Sequence, residues 1–168
     1  MTPEMALTAI QFLTQSIDQE SKTTRKVFAA MPAGQEEFRP HSGKSMSALE
    51  LSSHLATSEV WFYNSIADGA FGAPDPSLKN DIKTFADVTA FYEKALPAAL
   101  SRVRAMDAEA ATKIVDFMGM MQFPAVVFLQ MAANHVIHHR GQLSVYLRPM
   151  GGKVPSIYGP SGDEAMGG

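Results

Sequence analysis

Apolar residues recur every three or four positions in four long stretches of the chain, which is the spacing of one face of an α-helix. In the first stretch, for example, Ala9, Leu13 and Ile17 are about one turn apart. The predicted helices cover approximately residues 3–28, 48–68, 84–103 and 124–148. Long helices joined by shorter links are typical of an all-α protein with a four-helix bundle.

Capping residues mark where these helices begin and end. Thr2 precedes Pro3, the usual order of an N-cap and a first helical residue. The sequence Ser47-Ala48-Leu49-Glu50 has the spacing of a capping box, and Gly69 suits the left-handed residue that ends a helix. Pro97 lies inside the third helix, where it predicts a kink or a break.

The segments between the helices differ in character. Residues 33–44 and 69–81 contain Pro and Gly and are predicted to be loops. Residues 110–123 are ambiguous, because their middle, residues 113–118, fits either a short strand or an extended segment packed on the bundle. The C-terminal residues 151–168 are rich in Gly and Pro, and we expect them to fold back on a single domain that spans residues 1–168.

The composition argues against several classes of function. The net charge is −3 and only 18% of the residues are charged, so no broad basic surface for nucleic acid is expected. No signal peptide is evident, and the most apolar run, residues 117–133, is shorter than the roughly 20 residues that span a bilayer. The chain has no cysteine, which leaves His, Asp and Glu as strong metal ligands. We expect a cytoplasmic protein without nucleic-acid or membrane partners.

The histidines carry the strongest chemical signal. His135 and His139 are one helical turn apart on the same face of the fourth helix, close enough to share one ion. His54 lies on the core-facing side of the second helix and is the candidate third ligand. Three imidazoles leave a divalent ion with open positions, as in catalytic sites. Zinc or nickel is expected first, with iron or manganese as alternatives.

The remaining titratable residues have alternative interpretations. His138 could replace His139 as a partner of His135, but it points elsewhere on the helix and is expected to support or pack against the site. His41, in a loop, is expected to be exposed. Glu50 is a possible general base, although the capping box is a sufficient role. Glu59 is about 140° around the helix from His54, so a salt bridge or solvation is expected.

Two residues next to the histidine pair complete the set of candidates. Arg140 is expected to pair with a carboxylate, for which Asp163 and Glu164 in the tail are candidates, or else to bind an anion at the rim of the site. Gln142 is three residues after His139 and can hold an imidazole in the tautomer that a metal requires.

The motif around these histidines resembles a known family. The sequence His135-Val136-Ile137-His138-His139-Arg140-Gly141-Gln142-Leu143 resembles the signature helix of the DinB-like, or YfiT-like, metalloprotein superfamily. The resemblance continues over residues 146–148 and 151–159. Upstream, residues 39–47 and 51–55 resemble the segment that leads to the family's first metal ligand.

This resemblance implies a four-helix bundle, usually dimeric, in which His54, His135 and His139 hold a divalent metal ion. Characterised relatives include thiol-dependent S-transferases, such as bacillithiol transferases, and a mycothiol-dependent maleylpyruvate isomerase. The resemblance therefore implies a metal-dependent enzyme that activates a low-molecular-weight thiol for transfer, or a water for hydrolysis, and acts on a small-molecule substrate. The alternative is a non-catalytic, metal-stabilised dimeric bundle that serves as a stress-response or binding protein.

Overall fold

The computed structural model describes residues 1–77 and 81–165 and consists mainly of helices. In chain order, the elements are α1 (Pro3–Ala29), α2 (Ala48–Asp68), α3 (Phe85–Arg104), α4 (Ala108–Thr112), β1 (Ile114–Phe117), β2 (Met121–Pro124) and α5 (Ala125–Leu147). The bounds of the long helices α1, α2, α3 and α5 agree with the predicted bounds to within one residue. The prediction of an all-α four-helix bundle is confirmed.

The helix ends follow the capping residues. The side chain of Thr2 accepts a hydrogen bond from the backbone N–H of Met5, and Ser47 and Glu50 form both hydrogen bonds of the capping box. Gly69 ends α2 with φ of 65°, a conformation that costs glycine least. Helix α3 continues through Pro97 to Arg104, so of the two predicted outcomes, a kink or a break, the break does not occur.

The helices are arranged so that α2 and α5 are neighbours. Helix α2 packs against α3 and α5, and α1 packs against the same two helices. Helices α1 and α2 therefore occupy opposite corners of the bundle. The core lies between the four long helices and includes residues with no exposed surface, such as Leu55, Tyr63, Tyr92 and Leu129. This topology sets the inner face of α2 against that of α5.

The connection between α3 and α5 contains an antiparallel hairpin. Strands β1 and β2 pair Val115 with Phe123 and Phe117 with Met121. The backbone turns at Met118 and Gly119, with φ of 54° and 74°. The strand alternative for residues 113–118 is confirmed, whereas the partner strand β2 was not predicted. Pro124 is the last residue of β2 and the N-cap of α5. The helix therefore begins at Ala125, one residue later than predicted.

The segment after α5 lies back on the bundle. Asp163 accepts hydrogen bonds from Arg148 and from the backbone N–H of Val154. Gly152 packs so closely on the end of α1 that a Cβ atom there would lie 2.9 Å from the carbonyl oxygen of Ala30. Within residues 1–77 and 81–165, no helix combines the length and the hydropathy that a membrane crossing needs.

Candidate metal centre

Three histidines from two neighbouring helices meet at one place. His54 comes from α2, and His135 and His139 come from α5. The ring centroids are 5.2 Å apart for His54 and His135, 4.7 Å for His54 and His139, and 4.3 Å for His135 and His139. One nitrogen from each ring lies within 4.8 Å of the others, and all three residues are half-buried. The three-histidine cluster can bind a metal ion.

The ligand set consists of nitrogen atoms alone. In the part of the chain that the structure describes, no Asp or Glu joins the three histidines at ligand distance. Metal–nitrogen bonds of about 2.0–2.1 Å place the ligands of a tetrahedral ion about 3.4 Å apart, so small rotations of the rings are enough to form the site. Three protein ligands leave the fourth position of such an ion open.

His135 lies in the least solvated part of the cluster. Its Nδ1 atom is buried and has no hydrogen-bond partner among residues 1–77 and 81–165. Burial, followed by the nearby rings of His139 and His54, lowers the pKa of His135 to about 4. The imidazole is therefore neutral at pH 7, which is the form that binds metals. A buried ring nitrogen without a partner costs free energy unless an ion or a water satisfies it, so this environment fits a metal.

Gln142 orients the second ligand of α5. Oε1 of Gln142 lies 2.7 Å from Nδ1 of His139. Because a carbonyl oxygen only accepts hydrogen bonds, this contact puts the ring proton on Nδ1 and leaves the lone pair of Nε2 available to a metal. Burial lowers the pKa of His139, and the hydrogen bond to Gln142 acts in the opposite direction. The predicted role of Gln142 agrees with this geometry.

An aromatic wall borders the cluster on the side of the hairpin. The ring of Phe62 lies 5.5 Å from that of His135 and stacks on Phe117 at 6.0 Å. Trp61 and Phe71 extend this group of rings. Sequence reasoning overlooked the wall, although Trp61 and Phe62 lie two turns after His54 and could have indicated it. The wall keeps that side of His135 apolar.

An open cleft of about 450 Å³ borders the cluster at His139. Its walls come from residues 44–46, from the first turns of α2 and from the C-terminal half of α5. The lining residues are Lys44, Ser45, Met46, Leu51, His139, Gln142, Val145 and Tyr146. Solvent and small molecules therefore have a route to the His139 side of the cluster.

Three other predicted residues lie outside the ligand set. His138 is exposed, and its ring lies 4.9 Å from that of His139. His41 is exposed as expected, with Nδ1 3.0 Å from the carbonyl oxygen of Ser42. Glu50 caps α2 and forms an ion pair of 2.8 Å with Arg39. Glu50 therefore has the helix-capping role that the sequence indicated.

Arg140 pairs with a carboxylate, as predicted, but the suggested partners Asp163 and Glu164 are wrong. Its guanidinium lies 2.6 Å from the carboxylate of Glu20 on α1 and donates to the hydroxyl of Tyr158. Only 1% of Arg140 is exposed, so it faces the bundle interior and not the rim of the site. Asp163 pairs with Arg148 instead. Arg140 therefore anchors α5 to α1 directly beside His139.

Glu59 is buried and forms no salt bridge with any residue that the structure describes, so the expectation of a salt bridge or solvation is wrong. It is 1% exposed and accepts hydrogen bonds from Tyr63 at 3.0 Å and from Tyr92 at 2.7 Å. Burial raises the pKa of Glu59 to about 7, although both tyrosine hydroxyls act in the opposite direction. Tyr63 is one turn after Glu59, a spacing that was visible in the sequence. Tyr92 comes from α3, and nothing local indicated that contact.

The chain belongs to the DinB family, whose model matches residues 5–166. The uncharacterized protein YjoA of Bacillus subtilis is 32% identical over 108 residues, which cover 64% of this chain and 69% of YjoA. The uncharacterized protein YrdA of the same organism is 42% identical over 50 residues, which cover 30% of this chain and 29% of YrdA. The family assignment from the histidine motif is confirmed.

Solved structures support the same fold. The crystal structure of the DinB-like protein YjoA superposes with a TM-score of 0.68 at 24% identity, covering 83% of this chain and 91% of that one. A DinB-like protein from Bacillus cereus gives a TM-score of 0.73 at 23% identity, covering 87% of this chain and 95% of that one. At these identities the likeness concerns the fold.

Proposed function

We propose that this protein is a metal-dependent enzyme in which His54, His135 and His139 hold one divalent ion beside a substrate cleft. The main support for this proposal is that three imidazole nitrogens lie within 4.8 Å of one another next to an open cleft of about 450 Å³. Zinc or nickel is the expected ion, and iron or manganese are the alternatives, because all four accept nitrogen ligands.

The reaction we propose is the activation of a low-molecular-weight thiol for transfer to an electrophile, or of a water for hydrolysis. A divalent ion supplies Lewis acidity, which favours the deprotonated form of a thiol or water at neutral pH. The protein's own residues prepare the site. His135 is kept neutral by burial, Gln142 leaves Nε2 of His139 available, and Phe62 keeps water from one side of the cluster.

The alternative function is a non-catalytic bundle that a metal stabilises. An ion bound by His54 of α2 and by two histidines of α5 would tie these two helices together, which supports a stabilising role. The cleft beside His139 favours the enzyme, because a purely structural site is closed by its own ligands. A homodimer and a cytoplasmic location remain predictions.

The first experiment is metal analysis by mass spectrometry of protein purified without a histidine tag. We expect about one ion per chain, lost in His135→Ala and retained in His138→Ala, which removes an exposed imidazole next to the cluster. The loaded protein is then assayed for transfer of thiols to 1-chloro-2,4-dinitrobenzene. Failure to bind zinc, nickel, iron or manganese, or full metal content in His135→Ala, would refute the proposal.

Measurement of catalytic turnover distinguishes the metal-dependent enzyme from the metal-stabilised, non-catalytic bundle. If the protein is an enzyme, thiol transfer or hydrolysis should be lost when a chelator removes the metal, while the protein remains folded. The stabilising role predicts no turnover with any thiol and electrophile pair, together with unfolding when the chelator removes the ion. Circular dichroism of the chelated protein provides the second readout.

A further inference from the structure

The loop that forms one wall of the cleft is held in place by hydrogen bonds. The hydroxyl of Ser45 donates to the carbonyl oxygen of His41 at 2.7 Å and accepts from its backbone N–H at 3.1 Å. Arg39 donates to the carbonyl oxygen of Ser45 at 2.8 Å, and Tyr146 of α5 donates to that of Met46 at 3.3 Å. These contacts tie residues 41–46 into one turn and present Lys44 to the cleft.

Lys44 gives the cleft a positive charge without a compensating carboxylate. Neither Asp nor Glu belongs to the lining residues. The nearby cation Arg39 is already paired with Glu50, whereas Lys44 has no ion pair with any residue in the described ranges 1–77 and 81–165. An anion in the cleft therefore meets one available cation.

The rest of the lining fits a small carbon skeleton. Met46, Leu51 and Val145 provide apolar surface in the cleft that Lys44, His139 and Gln142 also line. A volume of about 450 Å³ is within the usual range for small-molecule sites. The cleft thus combines a cation, an apolar stretch and, beside it, the nitrogen cluster.

We infer that the cleft binds a small organic acid, with its acid group at Lys44 and its metal-binding atom, a thiol in the first instance, directed to the histidine cluster. This inference rests on the proposed function and specifies its substrate class. Lys44 acts as a specificity residue, since it selects acids over neutral molecules of the same size. Gln142 and His139 contact the part of the substrate nearest the reacting atom.

The test compares two thiols of similar size that differ in charge, 3-mercaptopropionate and 2-mercaptoethanol. Binding to cobalt-loaded protein is followed by the absorption of cobalt and by the ¹³C-methyl NMR signal of Met46, which lines the cleft. The variants are Lys44→Met, Lys44→Arg, which keeps the charge, and Lys94→Met, which removes an exposed lysine from α3 on the other side of the bundle.

We expect the wild-type protein to bind the acid about five-fold more tightly than the neutral thiol, the size of a good solvent-exposed ion pair. Lys44→Met should abolish this preference, while Lys44→Arg and Lys94→Met should retain it. Equal binding of the two thiols, or an unchanged preference in Lys44→Met, would overturn the inference.

The two readouts separate this inference from the proposed function. Acid binding that depends on Lys44, seen at Met46 in protein that binds neither cobalt nor zinc, nickel, iron or manganese, would support the contact with Lys44 and refute the metal enzyme. Cobalt binding without a preference for the acid would leave the metal site intact and refute the assignment of Lys44.

Discussion

Replacement of Glu59 by Gln should change how the stability of the protein depends on pH. Glu59 is a buried carboxyl group between α2 and α3, where Tyr63 and Tyr92 are its hydrogen-bond partners. Burial raises the pKa of Glu59 from the ordinary 4.5 to about 7. Gln has nearly the same shape, carries an NH2 group that donates where Glu has one of its oxygens and a carbonyl oxygen that accepts, and does not titrate. It therefore resembles the protonated carboxyl group.

The direction of the effect follows from proton binding. Between pH 4.5 and about 7 the folded state keeps a proton on Glu59 that the unfolded state has released. The stabilisation from Glu59 is therefore complete below pH 4.5 and is lost as the pH rises to about 7. The difference between about 7 and 4.5, at 1.36 kcal/mol for each pKa unit, corresponds to about 3 kcal/mol.

The assay is urea denaturation from pH 4 to pH 8.5, with a chelator in every sample to remove effects of metal binding. The difference in unfolding free energy between wild type and Glu59→Gln should change by about 3 kcal/mol across this range, in favour of the variant at high pH. His135 has a lowered pKa and acts in the opposite direction, but it is present in both proteins and cancels in the difference. Parallel curves for the two proteins would refute the assigned state of Glu59, and Glu93→Gln, an exposed site on α3, is the control.

Three further predictions concern single contacts. Gln142→Ala should weaken metal binding by about 10- to 100-fold, because His139 loses the partner that orients its ring; a chelator-competition titration measures this, and an unchanged Kd would contradict it. Arg140→Met should lower the unfolding free energy by about 3 kcal/mol, because the carboxylate of Glu20 loses its buried cation; an unchanged urea midpoint would show that the pair contributes nothing net. Ser47→Ala should cost about 1 kcal/mol through loss of the cap of α2, which thermal unfolding detects as a lower Tm, and equal Tm values would exclude that contribution.

Much of the candidate site could be predicted because its determinants are local. The separation of His135 and His139 by four residues puts both rings on one helical face in any α-helix. Gln142 could be assigned to His139 by the same argument. The assignment of His54 as the third ligand was harder to make from the sequence, because it requires α2 and α5 to be neighbours. In the structure they are neighbours, whereas α1 and α2 are diagonal to each other.

The errors in the suggested partners of Arg140 and in the expected environment of Glu59 have a common cause. Arg140 pairs with a carboxylate, as predicted, but the candidates Asp163 and Glu164 were chosen from the nearby tail, whereas the actual partner Glu20 is 120 residues away on another helix. Glu59 was judged from its angle to His54 alone, whereas the direction in which it points is the interior between α2 and α3. The charge of a Glu or Arg side chain by itself favours exposure to solvent, and hydrogen bonds to residues distant in the sequence are needed to offset the free-energy cost of burial.

The sequence by itself determined the long helices, most of their caps and the histidine pair of α5, since each depends on contacts between residues a few positions apart, whereas it left residues 113–118 open between a strand and an extended segment. The tertiary structure decided which helix faces meet. That arrangement brings His54 to the pair, buries Glu59 against Tyr92, joins Arg140 to α1 and opens a cleft between Lys44 and His139. These features depend on the free energy of packing distant segments around one core, which no short stretch of the chain contains.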